Sequence, residues 1–156
     1  MSRAFSAGQY PVDTDLRSAV HADADDVARL LCELGYPCEL DEAIERINVI
    51  TGNDRQVLVV ARREGAVCGM IALDFMYYLP LGTTTCRVTA LVVTPTAQGL
   101  GIGRQLLKEA ERRARVGGAS RIELTSGAQR TEAHAFYLAC GYKDSSVRFV
   151  KQLGAA

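Results

Sequence analysis

The chain has 156 residues, enough for one domain with a substantial apolar core. Its 18 basic and 18 acidic side chains balance, which argues against nucleic acid or a membrane surface as a partner. No apolar run reaches the length of a bilayer span, and the first 15 residues lack the apolar core of a signal peptide.

The five cysteines are odd in number, irregularly spaced and never arranged as Cys-x-x-Cys. This usage is typical of free thiols in a reducing compartment, so we expect a cytoplasmic protein. The two histidines, His21 and His134, lie far apart, which argues against a zinc site.

The first half of the chain predicts alternating elements. Residues 1–14 are polar and predict a flexible tail, followed by a single domain at 15–154. The range 75–84 mixes aromatic residues with Pro80 and Gly82 and predicts a loop over a cleft. The other patterns predict, in order, a strand at Leu16–Val20, a helix capped by Asp23 and ended by Gly35, a helix at Leu40–Ile50 with Leu40, Ile44 and Ile47 on one face, and strands at Val57–Ala61 and Val67–Leu73 joined by a turn at Arg63–Gly65.

The second half begins with the near-continuous apolar run Val88–Val93, which predicts a strand buried on both faces. A glycine-rich turn leads into a helix that ends at Gly117. The remaining patterns predict a buried stripe of Ile102, Leu106, Ala110 and Ala114 on that helix, a strand at Arg121–Thr125, a short helix capped by Thr131 with Ala133, Phe136, Tyr137 and Cys140 on one side, and a last strand at Ser146–Leu153. Helices mixed with antiparallel hairpins predict an α/β fold of the mixed, α+β kind.

The glycine-rich turn carries the strongest chemical signal. Gly99, Gly101 and Gly103 leave a short loop almost without side chains, so its backbone N–H groups can close on an anion at a helix N-terminus. A Walker A loop is excluded because no Lys–hydroxyl pair follows. The dinucleotide fingerprint fails because Arg104 occupies its third glycine position. The turn therefore predicts a site for the phosphates of another ligand.

Two motifs carry a family resemblance. The stretch from Val93 to Gly103, with Gln98, Gly101 and Gly103, resembles the Gln/Arg-x-x-Gly-x-Gly/Ala signature of the GCN5-related N-acetyltransferases (GNAT). The range 133–142, with Phe136-Tyr137 and Gly141-Tyr142, resembles the second motif of the same family. The resemblance covers residues 16–153. It implies an acyl-CoA N-acyltransferase fold, with a central, mostly antiparallel mixed sheet flanked by about four helices, and acetyl transfer from acetyl-CoA directly to a primary amine.

The resemblance also implies roles for individual residues. The strand before the loop, at Leu91, Val92 and Val93, would hold the pantetheine arm, and the Val93 N–H would donate to the thioester carbonyl. Tyr137 would protonate the departing CoA thiolate, although it also fits a core residue with a bonded hydroxyl. The CoA pyrophosphate would lie on the backbone amides of Gln98, Gly99, Leu100, Gly101, Ile102, Gly103 and Arg104.

Some members of the family place a glutamate base on the strand before the glycine-rich turn. Here the range 87–91 of that strand contains no carboxylate, so the general base must be sought elsewhere. Asp74 is the best acidic candidate, and its alternative is a solvated charge at a strand end. Cys140 is one helical turn beyond Tyr137 and is interpreted as a buried thiol rather than a nucleophile. Arg104, Lys108 and Arg130 fit either contacts to CoA phosphates or an exposed surface.

Only the family resemblance indicates which class of acceptor the enzyme would use. The C-terminal third resembles the branch that contains aminoalkylphosphonate N-acetyltransferases, whose members acetylate small amines, some of them with a divalent metal. The acidic residues that such a metal site would need, near the strand before the glycine-rich turn, are absent, since Arg87 and Ala90 occupy this area. We therefore expect no bound metal. Arg87 fits either an anionic substrate group or a surface charge, and Tyr36, Tyr77 and Tyr78 would line the cleft.

Several alternatives stay open at this point. The acceptor can be a peptide or protein amine, an aminoglycoside or a polyamine. The fold can serve as a non-catalytic acyl-CoA sensor, or it can use another acyl-CoA, because the loop recognises only phosphates. Members of the family often dimerise, so a homodimer is also open.

Overall fold

The computed structural model describes residues 14–125, 131–145 and 148–154. A five-stranded sheet with the strands in sequence order forms its centre. Strands β1 to β4 run antiparallel to their neighbours and β5 runs parallel to β4, which confirms a mixed, mostly antiparallel sheet. The strands are β1 (Thr14–Ser18), β2 (Gln56–Arg63), β3 (Ala66–Tyr78), β4 (Thr83–Val93) and β5 (Ala119–Leu124).

Four α-helices lie within the described residues: α1 (Ala24–Leu34), α2 (Leu40–Thr51), α3 (Ile102–Val116) and α4 (Thr131–Ala139). The chain divides into two compact units between Leu124 and Thr125, so the sheet and the first three helices belong to one unit and α4 to the other. Residues 1–13 lie outside the described part, and the single domain at 15–154 stays a prediction. None of the described helices is long and apolar enough to cross a membrane.

The two faces of the sheet carry different helices. Helices α1 and α2 cover one face, where Leu58, Val60 and Met70 join a cluster with residues of both helices. Helix α3 covers the other face. A Cβ added at Gly69 of β3 would lie 3.3 Å from Leu106 Cδ1, so glycine allows this close approach of helix and sheet. Because side chains alternate along a strand, the even-numbered residues from Met70 to Tyr78 share the α1/α2 face.

Several local predictions are confirmed. The hairpin between β2 and β3 turns on Glu64 and Gly65, with φ of 56° and 83°, as a two-residue hairpin turn of the primed type requires. Gly35 ends α1 in the left-handed region, with φ of 107°. The predicted stripe on α3 is fully buried, which fixes the helix on the sheet.

The predicted loop at 75–84 is wrong. Phe75 to Tyr78 continue β3, and β4 begins already at Thr83, so the connection is a short turn. Aromatic residues favour strands, whereas the prediction depends on Pro80 and Gly82, which belong to the turn alone. The result is a long β3–β4 hairpin instead of the predicted loop over a cleft.

Two further expectations need correction. On α2, Leu40 and Ile44 are exposed by 46% and 38%, whereas Ala43 and Ile47 are buried, because small Ala43 lets the helix approach its neighbours. At the C-terminus, residues 148–153 lie in no strand, and the predicted strand residues 146–147 lie outside the described part. Phe149 and Leu153 are each 91% exposed. An alternating pattern gives strand propensity, but a strand also needs a neighbour for its hydrogen bonds.

The structure does not confirm the predicted role of Asp23 as the side-chain cap of α1. It occupies the N-cap position, yet its carboxylate caps no α1 amide. The carboxylate instead accepts from the Val20 N–H at 2.8 Å and from both terminal nitrogens of Arg17 at 2.7 and 2.9 Å. Asp23 is only 4% exposed, so this ion pair anchors the chain between β1 and α1.

Candidate functional site

An opening in the sheet lies where β4 and β5 part. The two strands pair from Thr84 to Val88 only, and β5 ends at Leu124. Beyond Val88, β4 continues to Val93 and pairs with β3 alone within the described residues. The predicted burial of Val88–Val93 on both faces is therefore wrong, since Thr89 is exposed and residues 90–93 are half-buried. Within the described residues, the outer edge of this stretch therefore has backbone polar groups without a strand partner.

The direction of these backbone groups follows from one hydrogen bond. The Thr94 N–H donates to the Cys68 carbonyl on β3 at 2.8 Å. Antiparallel pairing alternates, so the N–H groups of Leu91 and Val93 point away from β3 and into the opening. The Val93 carbonyl points the same way and accepts from Gln98 Nε2 at 3.0 Å. Leu91 and Val93, two predicted site residues, thus present donors to the same space.

A β-bulge lies at the closed end of the opening. Ala72 pairs with Ala90 and Leu73 pairs with Val88, so Thr89 is an extra residue on β4. Bulges bend a strand and increase its twist. The bulge therefore favours a bend of β4 away from β5 at the point where their pairing ends.

The glycine-rich turn joins the far end of this strand to α3. Gly99 and Gly101 adopt φ of 84° and 86°, which side-chain-bearing residues rarely adopt. Gly101 is the N-cap of α3 and provides no side-chain cap, so no side chain occupies the amides of the first turn from that position. Such amides, together with the positive end of the helix dipole, are groups that favour an anion.

The turn is held in place by a side chain that sequence reasoning missed. Arg29 of α1 donates to Thr94 Oγ1 and to the Val67 carbonyl, both at 3.0 Å. Its ion pairs with Asp26 at 3.2 Å and Glu33 at 3.4 Å orient the guanidinium. In the sequence these three residues resemble ordinary helix-surface pairs, so no local signal identifies the contact to Thr94.

A row of polar side chains crosses the α1/α2 face beside the closed end of the opening. Gln56, Asp74, Arg87 and Glu123 are register partners on four successive strands. Asp74 accepts from Gln56 Nε2 at 2.7 Å, and the nearest nitrogen and oxygen of Arg87 and Glu123 are 4.0 Å apart. Asp74 lies four residues before the end of β3 and is half-buried, so it is not a solvated charge at the end of a strand.

Tyr137 belongs to the second compact unit. It is half-buried on α4, with ring centroids 5.6 Å from Phe136 and 6.4 Å from Tyr142. The Tyr142 N–H donates to the Tyr137 carbonyl, and Gly141 adopts φ of 95°, which closes the helix end. His134 and Cys140 are also half-buried, whereas Arg130 lies outside the described residues.

The comparisons with known proteins agree with these features. The model of the acetyltransferase (GNAT) family matches residues 24–142. The chain belongs to the GNAT family. The matched range includes the glycine-rich turn, the β4 opening and Tyr137, and enzymes of this family use acetyl-CoA as the acetyl donor.

Individual relatives extend this result. Aminoalkylphosphonate N-acetyltransferase of Salmonella typhimurium is 41% identical over 143 residues, which cover 89% of this chain and 91% of that protein. A transcriptional regulator from Bacillus halodurans has a similar structure, with a TM-score of 0.83, 25% identity and coverage of 90% and 99%. Aminoglycoside N-acetyltransferase AAC(6')-Iy in complex with CoA shares the fold, with a TM-score of 0.80, 16% identity and coverage of 89% and 94%. This GNAT chain is thus an N-acetyltransferase.

Proposed function

We propose that this enzyme transfers the acetyl group of acetyl-CoA directly to a primary amine of a small molecule. One observation carries the proposal: the N–H groups of Leu91 and Val93 point into the β4 opening, and the strand leads directly to an anion-binding turn. An extended ligand with phosphates at one end and an acyl group at the other matches this arrangement.

The residues of the turn and of β4 divide the binding between them. The amides from Gln98 to Arg104 hold the pyrophosphate, and the open edge of Leu91, Val92 and Val93 holds the pantetheine arm. Bound acetyl-CoA supplies a thioester carbonyl that an amine can attack. The Val93 N–H donates to that carbonyl oxygen and stabilises the negative charge that develops there.

Two side chains manage the protons. Tyr137 donates its phenolic proton to the CoA sulfur as the thiolate leaves; the motif around it and its half-buried, aromatic surroundings support this role. Asp74 accepts the proton of the acceptor amine through a chain of water molecules, because it lies five residues along β3 from Gly69, the register partner of Val93. Its place on the face opposite α3 supports this role, because α3 carries the phosphate-binding turn and leaves the α1/α2 face for the acceptor.

The acceptor is a small amine rather than a peptide. The support is the 41% identity, over most of both chains, to an enzyme named for aminoalkylphosphonates. A direct transfer needs acceptor and acetyl-CoA to be bound at the same time.

The test is release of CoA thiol from acetyl-CoA in the presence of different amines. The panel contains 2-aminoethylphosphonate, a polyamine, an aminoglycoside and a short peptide. We expect release that depends on the acceptor and is fastest with a small amine. Tight CoA binding without release for any amine would indicate an acyl-CoA sensor, and preference for the peptide would indicate a protein acetyltransferase; either result would overturn the proposal.

A further inference from the structure

Two cysteines lie close together where α1 ends and the chain turns towards α2. All five cysteines of the chain lie within the described residues, and Cys32, in the last turn of α1, is the only exposed one among them. Its thiol donates to the Cys38 carbonyl at 3.8 Å. Cys38 is buried, with 8% of its surface exposed, in the cluster that joins α1 and α2 to the sheet. The pair thus combines an accessible thiol with a sheltered one.

The turn between the two residues reverses the chain. Gly35 has φ of 107°, and the N–H groups of Gly35 and Tyr36 donate to the carbonyls of Cys32 and Leu31 at 3.0 and 2.9 Å. Bond lengths place the Cys38 sulfur about 4 Å from the carbonyl oxygen of the same residue, so the two sulfurs lie within roughly 8 Å of each other. To form an S–S bond of about 2 Å, Cys32 and the helix turn that carries it must move towards Cys38, because Cys38 is packed in the core.

The same helix turn contacts the residue that precedes the glycine-rich turn. Glu33, next to Cys32, accepts from Thr94 Oγ1 at 3.3 Å and pairs with Arg29 at 3.4 Å. Arg29 also donates to Thr94 Oγ1, at 3.0 Å. A shift of Cys32 therefore moves Glu33 and disturbs the hydrogen bonds that hold Thr94, just before the backbone amides proposed to bind the CoA phosphates.

We propose that Cys32 and Cys38 form a reversible disulfide when the protein meets a peroxide, and that this bond weakens the binding of acetyl-CoA. Formation of the disulfide is independent of the proposed function, whereas its effect on acetyl-CoA rests on the role proposed for the glycine-rich turn. The two cysteines thus make the use of the acetyl donor sensitive to oxidation.

One molecule of hydrogen peroxide oxidises both thiols. The Cys32 sulfur attacks the peroxide, the O–O bond breaks, and a sulfenic acid and one water form. The Cys38 sulfur then attacks the Cys32 sulfur: the S–S bond forms, the S–O bond breaks, and the hydroxide leaves as a second water with the Cys38 proton. A dithiol reductant reverses the bond. Burial raises the pKa of Cys38, so the exposed Cys32 is the thiol that peroxide reaches first.

The first test is mass spectrometry of the protein after a brief pulse of hydrogen peroxide. For the wild type we expect the loss of two hydrogen atoms, reversed by dithiothreitol, and a linked pair of peptides after cleavage at Glu33. Cys32→Ser and Cys38→Ala should lose the link, whereas the matched control Cys140→Ser should keep it. A link to another cysteine or to a second chain, or oxidation of Cys32 without a link, would overturn the inference.

The second test is isothermal titration of CoA into the reduced, the oxidised and the re-reduced protein. We expect the disulfide to raise the Kd for CoA several-fold in the wild type and in Cys140→Ser, and reduction to restore it. Cys32→Ser should keep the Kd of the reduced protein after the same treatment. A disulfide that leaves the Kd unchanged would overturn the coupling to the glycine-rich turn and leave the proposed function intact. A reduced wild type that binds no CoA would overturn the proposed function itself.

Discussion

At the scale of single residues, the proposed CoA site depends on glycines whose backbone amides carry no side chain beside them. Gly99 and Gly101 adopt positive φ, and Gly101 stands immediately before the first amides of α3. A side chain at either position is strained and extends into the space where an anion approaches those amides. The sequence alone identifies both residues, because three alternating glycines at a strand–helix junction are typical of a turn that binds phosphate through its backbone.

We expect Gly101→Glu to abolish CoA binding, because it adds a side chain and a negative charge to the anion site. Gly118→Glu is the matched control: Gly118 has a similar φ of 81° but lies beyond the other end of α3. Both variants carry the same backbone strain, so only the first should lose CoA affinity in isothermal titration. Normal affinity of Gly101→Glu would contradict the assignment of the turn.

Tyr137 is the side chain whose removal tests the proton-transfer step. Tyr137→Phe should lower kcat by about a hundredfold, since general acid catalysis contributes at least that much, and should leave the Kd for CoA unchanged. Tyr142→Phe is the control, because it removes a hydroxyl from the neighbouring ring. Equal turnover of Tyr137→Phe and wild type would refute the role of Tyr137 as the acid.

Two buried cysteines of the sheet, Cys68 and Cys86, are poor candidates for an acetylated intermediate. Burial raises the pKa of Cys68, and burial together with the charge of Asp74 raises the pKa of Cys86 to about 11. Such thiols are protonated at neutral pH and react poorly as nucleophiles. All five cysteines are free, as the irregular spacing predicts.

At the scale of elements, the sequence predicts which segments form helices and strands better than how they pair. The turn at Glu64–Gly65 and the ends of α1 and α3 follow from local residue chemistry, and the structure confirms them. The β4 opening cannot be predicted in this way. It arises because β5 stops at Leu124 while β4 runs on to Val93, and pairing length is a tertiary property.

The difference between local residue preference and strand pairing also explains the main errors in the prediction from sequence. Phe75 to Tyr78 fall within the predicted loop because a proline and a glycine follow closely, although the four residues themselves favour a strand. With β3 extended, Asp74 is not a strand-end residue but a member of a row across four strands. Arg29 cannot be identified from the sequence, since its contact to Thr94 joins residues 65 positions apart.

Arg29 of α1 donates to Thr94, just before the proposed phosphate-binding turn, so its loss should affect the binding of acetyl-CoA more than the fold. We expect Arg29→Met to raise the KM for acetyl-CoA several-fold, with a smaller change in kcat. Arg112→Met is the control, because Arg112 pairs with Glu109 on the exposed side of α3. Steady-state kinetics at saturating acceptor separate the two effects; an unchanged KM in Arg29→Met would contradict the positioning role.

At the scale of the whole molecule, one partly buried ion pair ties β1 to the start of α1. Hydrogen bonds from Arg17 hold the pKa of Asp23 below its usual 3.8; burial opposes this, and the Val20 N–H adds to it. A carboxyl whose pKa is lower in the folded state stabilises the fold above its unfolded pKa, and this contribution disappears as pH falls through the folded pKa.

Asp23→Asn should therefore lower the free energy of unfolding by about 2 kcal/mol at pH 7, because it removes charged hydrogen bonds and leaves Arg17 without its carboxylate. The difference from wild type should shrink as pH falls below about 3.8. Urea denaturation at several pH values measures both. A difference that stays constant down to pH 2 would contradict the ion pair as its source.

The destination of the acetyl group distinguishes direct transfer from every alternative. The most direct measurement is a single turnover with isotopically labelled acetyl-CoA and 2-aminoethylphosphonate, followed by mass spectrometry of the acceptor and of the intact protein. We predict one acetyl group on the acceptor nitrogen, one equivalent of free CoA and no labelled protein. Label that accumulates on the protein, or acetyl-CoA that stays bound and intact in the presence of every small amine tested, would contradict direct transfer from the β4 opening.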